Sequence, residues 1–240
     1  LEEEQLIKDF ITATDNFVVY RPSFRLHTLL AGYPWFLDWG RDSLISFEGL
    51  LLVTKRFDIA KEVLQTLVRD IKFGLVPNGY SGFDNRPLYN SVDASLLLFE
   101  QIQKYVEYTE DYEFVKENLY EKLKDVIENY KNGIDVDDNN IYLDTDYLIV
   151  SGTQNTQNTW MDAKCNNKAV TPRNGKAVEI NSLWYNANII MADLENKIGN
   201  KNDAKKYQEL ARKCKKAFNE KFYNKKRNEH PFPVRRPYSV

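Results

Sequence analysis

Apolar residues recur along this chain at i, i+3, i+4 and i+7, the spacing that gathers them on one face of a helix. In 42–57 the pattern aligns Leu44, Ile45, Phe47, Leu51 and Leu52, with Asp42 or Ser43 as the predicted N-cap. Asp58 caps a second predicted helix, in which Ala60, Val63, Leu64, Leu67, Val68 and Ile71 keep register and Gly74 is the stop. Almost no linker separates the two, so they read as an antiparallel helical hairpin. Residues 92–109 repeat the pattern with Leu98, Ile102 and Val106, and Asp111 caps a partner running to Gly133. A third pair begins near Glu179 and resumes after Gly199, with Trp184, Ile190 and Leu194 in its first helix and Tyr207, Ala211 and Cys214 in its second. Leu6, Ile7, Phe10 and Ile11 predict one more helix at the start.

Turns within hairpins are short, whereas 74–91 and 134–178 are long connections. The second includes a predicted small β-hairpin with its turn at 137–140. The hairpins differ in sequence, which argues against short tandem repeats. Successive antiparallel hairpins with long loops on one rim predict an all-α toroid, or part of one, and loops of that length usually carry function.

Composition narrows the function classes. The 240 residues are 42% hydrophobic, enough for a sizeable single-domain core. A net charge of −2 leaves no basic excess to neutralise phosphates, so no nucleic-acid partner is expected. No segment reaches the roughly 18 consecutive apolar residues of a membrane span. The start, Leu1-Glu2-Glu3-Glu4, has no signal-peptide character and reads as a cut edge. Two cysteines, Cys165 and Cys214, and two histidines, His27 and His230, make neither a disulfide framework nor a zinc site, and a cytoplasmic setting is expected.

The unusual number is 13% aromatic residues, including 4 Trp. The rings cluster with polar groups just before the helices near 42, 92 and 179. These clusters hold Trp35, Trp39, Arg41 and Asp42; Tyr89, Asn90 and Asp93; and Trp160, Asp162, Arg173, Glu179 and Trp184. A pyranose has an apolar C–H face that stacks on indole and a ring of hydroxyls that takes carboxylates, amides and Arg. Each residue alone has a blander reading. A Trp is more often core than platform; Asp42 alone is an N-cap; Arg41 and Asp38 form a rim salt bridge of about 0–1 kcal/mol; Asp162 alone is a solvated loop carboxylate. Their coincidence on one rim points to a sugar or polyol site.

The segments GYPWFLDWGRDSL, FGLVPN, YNSVDASLLLFE, TWMDAK and VTPRNGKAVEINSLWYNA follow one another in this order. Together they resemble the C-terminal amylo-α-1,6-glucosidase domain of glycogen debranching enzymes, over about residues 17–223. TWMDAK and VEINSLWYNA with WGRDS are specific to that family; a lone Arg-Asp pair is not. The resemblance implies an (α/α)6 barrel with its active site on the long-loop rim. It implies inverting hydrolysis, without a cofactor, of a glucose joined by an α-1,6 bond to glycogen, limit dextrin or a branched maltooligosaccharide. Asp162 matches the general acid, whose carboxyl must carry a proton, and Trp160 and Met161 are expected to keep water from it. Arg41 and Asp42 match the pair that grips the terminal glucose, Trp35 and Trp160 are stacking walls, and Glu179, Trp184 and Asn186 line or brace the cleft.

The chain also departs from the family. About three and a half hairpins are predicted where six are needed, and the second carboxylate, which lies C-terminal of VEINSLWYNA in the family, has no counterpart. Residues 229–240 carry three prolines and read as an irregular tail. The expectation is one domain over 1–240, the first half to two-thirds of a barrel, itself nearly inactive and prone to self-associate through its exposed flanks. The competing readings are a non-catalytic oligosaccharide-binding module and a helical protein-interaction scaffold.

Overall fold

The computed structural model describes residues 2–32, 35–81 and 84–223; the tail at 229–240 lies outside them. The described residues are mostly helical, with four small two-stranded hairpins. Helix α1 (Glu2–Thr14) leads through a 3-10 turn to strands β1 (Val18–Arg21) and β2 (Leu26–Leu29), paired antiparallel with Val18 opposite Leu29. Then come α2 (Gly40–Phe47), α3 (Phe57–Arg69), the β3–β4 hairpin (Gly79–Tyr80, Pro87–Leu88) and α4 (Ala94–Thr109). Helices α5 (Tyr112–Asn118) and α6 (Tyr120–Asn132) precede β5 (Tyr142–Leu143), β6 (Ile149–Val150), β7 (Lys164–Cys165) and β8 (Lys168–Ala169). The long pair α7 (Val178–Ile198) and α8 (Lys201–Phe222) closes the order.

One apolar core joins these elements. Leu44 and Phe47 of α2, Leu64 of α3, Phe99 and Ile102 of α4, Leu123 and Ile127 of α6, and Trp184 and Met191 of α7 are fully buried within it. Each such side chain contributes about 1.5–3 kcal/mol of transfer free energy.

Several boundaries differ from the sequence pattern, each for a tertiary reason. Helix α2 begins at Gly40, with Trp39 in the N-cap position and no side-chain cap, so Asp42 and Ser43 both lie inside the helix. Gly40 N donates to Asn78 O at 3.1 Å, and a Cβ at residue 40 would collide with the carbonyl of Pro77. Only glycine brings the chain that close. The expected continuous helix over 42–57 relaxes into a π turn over Glu48–Leu52, which turns both Leu51 and Leu52 into the core. Helix α3 stops at Arg69, short of Gly74, because 72–75 closes as a tight turn bridging Lys72 to Leu75. Gly74 sits there at φ +72°, with Asn129 against its α-carbon.

The predicted helix after Asp111 breaks at Leu119 into α5 and α6, while Asp111 caps α5 as expected, accepting from Phe114 N at 3.0 Å. The 137–140 turn is present but closes only the bridge between Ile134 and Ile141; the ladder forms between β5 and β6. Helix α1 forms, yet its apolar stripe stays open to solvent, with Phe10 66% exposed.

Candidate active site

The site is a cleft of about 400 Å³ where four connections meet. Trp39 enters it from the start of α2 and Asn90 from the approach to α4. Asp137 and Asn139 enter from the turn before β5; Gln157, Asn158, Asp162 and Lys164 come from the segment leading into β7. The size is within the range of roughly 300–1,000 Å³ usual for small-molecule sites.

Asn139 is the hub that holds these loops together. Its Nδ2 donates to Tyr89 O and, at 2.8 Å, to Val136 O, while its carbonyl accepts from Gly152 N at 2.6 Å. Asn158 Nδ2 donates to Asn139 O at 3.2 Å, and Asn158 O in turn accepts from Val92 N at 2.8 Å. The turn bearing this hub places Asp137, Asp138 and Asn140 in the left-handed region, a conformation Asp and Asn tolerate better than other side-chain-bearing residues. Backbone amides and carbonyls that would otherwise be stranded under the cleft are thereby satisfied.

Behind Asp162 stands a buried ion network. Arg41 is 8% exposed; its Nε donates to Asp93 Oδ2 at 2.7 Å and its Nη1 to Asp162 Oδ2 at 3.1 Å. Burial alone would pull the guanidinium down, but the hydrogen bond and charge of Asp93, then those of Asp162, outweigh it and hold Arg41 above its ordinary value. Ser91 Oγ donates to Asp93 Oδ1 at 2.5 Å and accepts from Ala94 N at 3.1 Å, tying the pair to the start of α4. Asp38 is not the partner of Arg41. It accepts from Arg21 Nη1 at 2.6 Å and Thr28 Oγ1 at 3.2 Å. Arg21 lies over the rings of Phe24 and Tyr80, at 4.1 and 4.5 Å from their centroids.

Of the residues singled out in the sequence, the structure brings Trp39, Asn90 and Asp162 to the cleft, with Arg41 and Asp93 behind Asp162. Trp184 needs correction: it is fully buried, stacked on Tyr130 with centroids 6.1 Å apart, on the inner face of α7 nearly two turns in from the rim. It belongs to the core and does not line the cleft. Trp35 is 84% and Trp160 56% exposed, and neither lines the cleft wall. Trp160 therefore does not shield Asp162, whose side chain is 47% exposed, and Met161 packs instead toward Arg173, its sulfur 3.8 Å from Nη1. Asp42 faces the other side of α2, on a shallow groove with Phe17, Leu30 and Ile45. Both carboxylate oxygens of Glu179 accept from Arg173. Asn186 is half-buried on α7, away from the cleft lining.

Sequence reasoning placed Asp93, Asn158 and Lys164 within the ring-and-polar clusters but gave them no role, and it read Asp137 and Asn139 only as turn residues. Asp93 and Lys164 lie inside quoted motifs, but what brings them to the site is a contact across 52 residues for Asp93 and a shared cleft for Lys164. Among the described residues, no three His, Cys, Asp or Glu side chains are grouped to hold a metal, and no helix is long and apolar enough to cross a membrane.

These features define a class: a helical-hairpin protein whose connecting loops build a cleft lined by carboxylates and carboxamides. The chain belongs to the amylo-alpha-1,6-glucosidase family, whose model matches residues 12–231. A curated relative is the glycogen debranching enzyme of Saccharomyces cerevisiae, 27% identical over 232 residues. That alignment covers 73% of this chain and 15% of the yeast protein, so the chain spans a small part of its relative's length.

Proposed function

We propose that this chain is part of an inverting α-1,6-glucosidase domain, a portion of an (α/α)6 toroid, that receives the terminal glucose of a branch on glycogen or limit dextrin. The observation that carries the reading is the cleft in which Asp162 of TWMDAK shares walls with Trp39 and the carboxamides of Asn90 and Gln157, above the buried Asn139–Asn158 pair. Carboxamides both donate and accept, which matches hydroxyls that do the same.

In this reading Asp162 is the general acid that protonates the glycosidic oxygen as the bond breaks. Arg41 orients Asp162 from behind, and the indole of Trp39 meets the apolar sugar face. Trp35, Trp160, Asp42 and Asn186 are outer contacts to the longer glucan chain, and the Arg173–Glu179 pair braces the segment entering α7. An inverting reaction needs a second carboxylate roughly 6.5–9.5 Å from the acid to activate water. We assign that base to a part of the family's domain other than these residues. Glu179 is engaged by Arg173, and Asp137 is the remaining carboxylate on the cleft wall.

The test is a titration with maltotriose and with a branched maltooligosaccharide, followed by Trp fluorescence, beside a glucose-release assay on limit dextrin. The chain is expected to bind with little or no turnover, and Asp162→Asn to keep binding within a few-fold. Absence of any sugar response sinks the reading. Turnover abolished by Asp137→Asn moves the base to Asp137.

A further inference from the structure

Arg41 lies between two carboxylates of unequal character. The side chain of Asp93 is 5% exposed and is gripped from behind by Ser91, whereas that of Asp162 is 47% exposed on the cleft wall. Arg41 itself is buried, and its Nη2 has no acceptor. The other charges nearby are accounted for: Asp38 is committed to Arg21, while Asp137 and Lys164 stand on the cleft walls with Asp162.

A general acid must be neutral before it gives up its proton, and a neutral Asp162 is no counter-ion. Were Asp162 the sole partner of Arg41, each protonation would strand a buried cation, among the least favourable arrangements in a protein interior. We propose that Asp93 is a positioning residue, the standing counter-charge of Arg41, which leaves Asp162 free to gain and lose its proton while the guanidinium stays in place. The inference rests on the reading of Asp162 as the acid. Its physical content is that Asp93 and Asp162 are coupled only through the charge of Arg41.

That coupling is measured on the full chain by a double-mutant cycle in urea unfolding. Asp162→Asn imitates the protonated acid, and with Asp93 present it is expected to change the unfolding equilibrium constant less than about threefold, as surface substitutions do. With Asp93→Asn the same change removes the last counter-charge, so the double variant is expected to lose about tenfold or more beyond the product of the single effects. Arg41→Met added to the double variant is expected to return most of that loss, an outcome that a merely structural Asp93 would not produce. Additive effects, or no recovery with Arg41→Met, overturn the inference. If Asp93→Asn does not fold, Asp93→Asn with Arg41→Met decides: recovered folding supports the charge role, and failure to fold overturns it. An intact cycle in a chain without any sugar response counts against the glucosidase reading alone.

Discussion

Burying a guanidinium costs several kcal/mol unless its charge is met at close range, and that requirement organises the residues around Asp162. Arg41 is met by Asp93 from inside and by Asp162 at the surface, so its ion partners are these two distant acids and not Asp42, its neighbour in the motif. Trp184 shows the opposite case, a motif residue that serves packing. Trp184→Ala is expected to destabilise the fold by about 3–5 kcal/mol, as truncation of buried aromatic side chains does. Trp184→Phe, which keeps a ring against Tyr130, should cost less. Urea unfolding measures both, and sugar affinity per folded molecule should not change. A loss of affinity in folded Trp184→Phe would return this ring to the site.

Among the elements, α1 stands apart. Its stripe of Leu6, Ile7, Phe10 and Ile11 forms the expected amphipathic helix but remains 49–66% exposed. Ile45 and Val53 are also exposed, Ile45 in the groove it shares with Phe17, Leu30 and Leu50. Apolar surface so arranged drives association in water. Sedimentation at rising protein concentration should therefore show a growing associated fraction, reduced by Phe10→Glu. A monomer at every concentration would mean that the stripe does not drive assembly. Helix existence was legible in the periodic apolar residues of α3, α4, α7 and α8. Helix ends were less so: the start of α2 depends on Gly40 lying against Pro77, and the stop of α3 on the turn at Gly74 packed by Asn129. Those contacts join residues far apart in the chain, and no local propensity encodes them.

For the whole molecule, the titrating groups predict a stability plateau with two edges. The hydrogen bond from Lys61, then that from Phe114 N, hold Asp111 below the usual carboxylate value. Burial pushes Asp146 up, but bonds from Lys176 and Lys221 outweigh it and hold it low as well. Depressed carboxylates stabilise the fold above their unfolded values, and that stabilisation is lost as pH falls through the folded ones. Burial pushes Tyr105, Tyr207 and Cys214 each up to about 12. The unfolded chain then ionises these groups first, so stability declines as pH rises above their unfolded values. The urea midpoint should be flat from about pH 5 to about pH 8 and fall on both sides. A midpoint still rising at about pH 11 would contradict the alkaline edge.

What the amino-acid order determined by itself is local: helical periodicity, the Asp111 cap, the grouping of rings and carboxylates before helices, and motifs specific enough to point to a glucosidase family. What only the tertiary structure decided is which of those residues share a space. Trp39 and Trp184 look alike along the chain, yet one faces a cleft and the other the core, because the facing of an indole depends on the elements packed against it. Asp93 and Asp162 are likewise ordinary loop acids until one buried cation, held between them, makes each depend on the other.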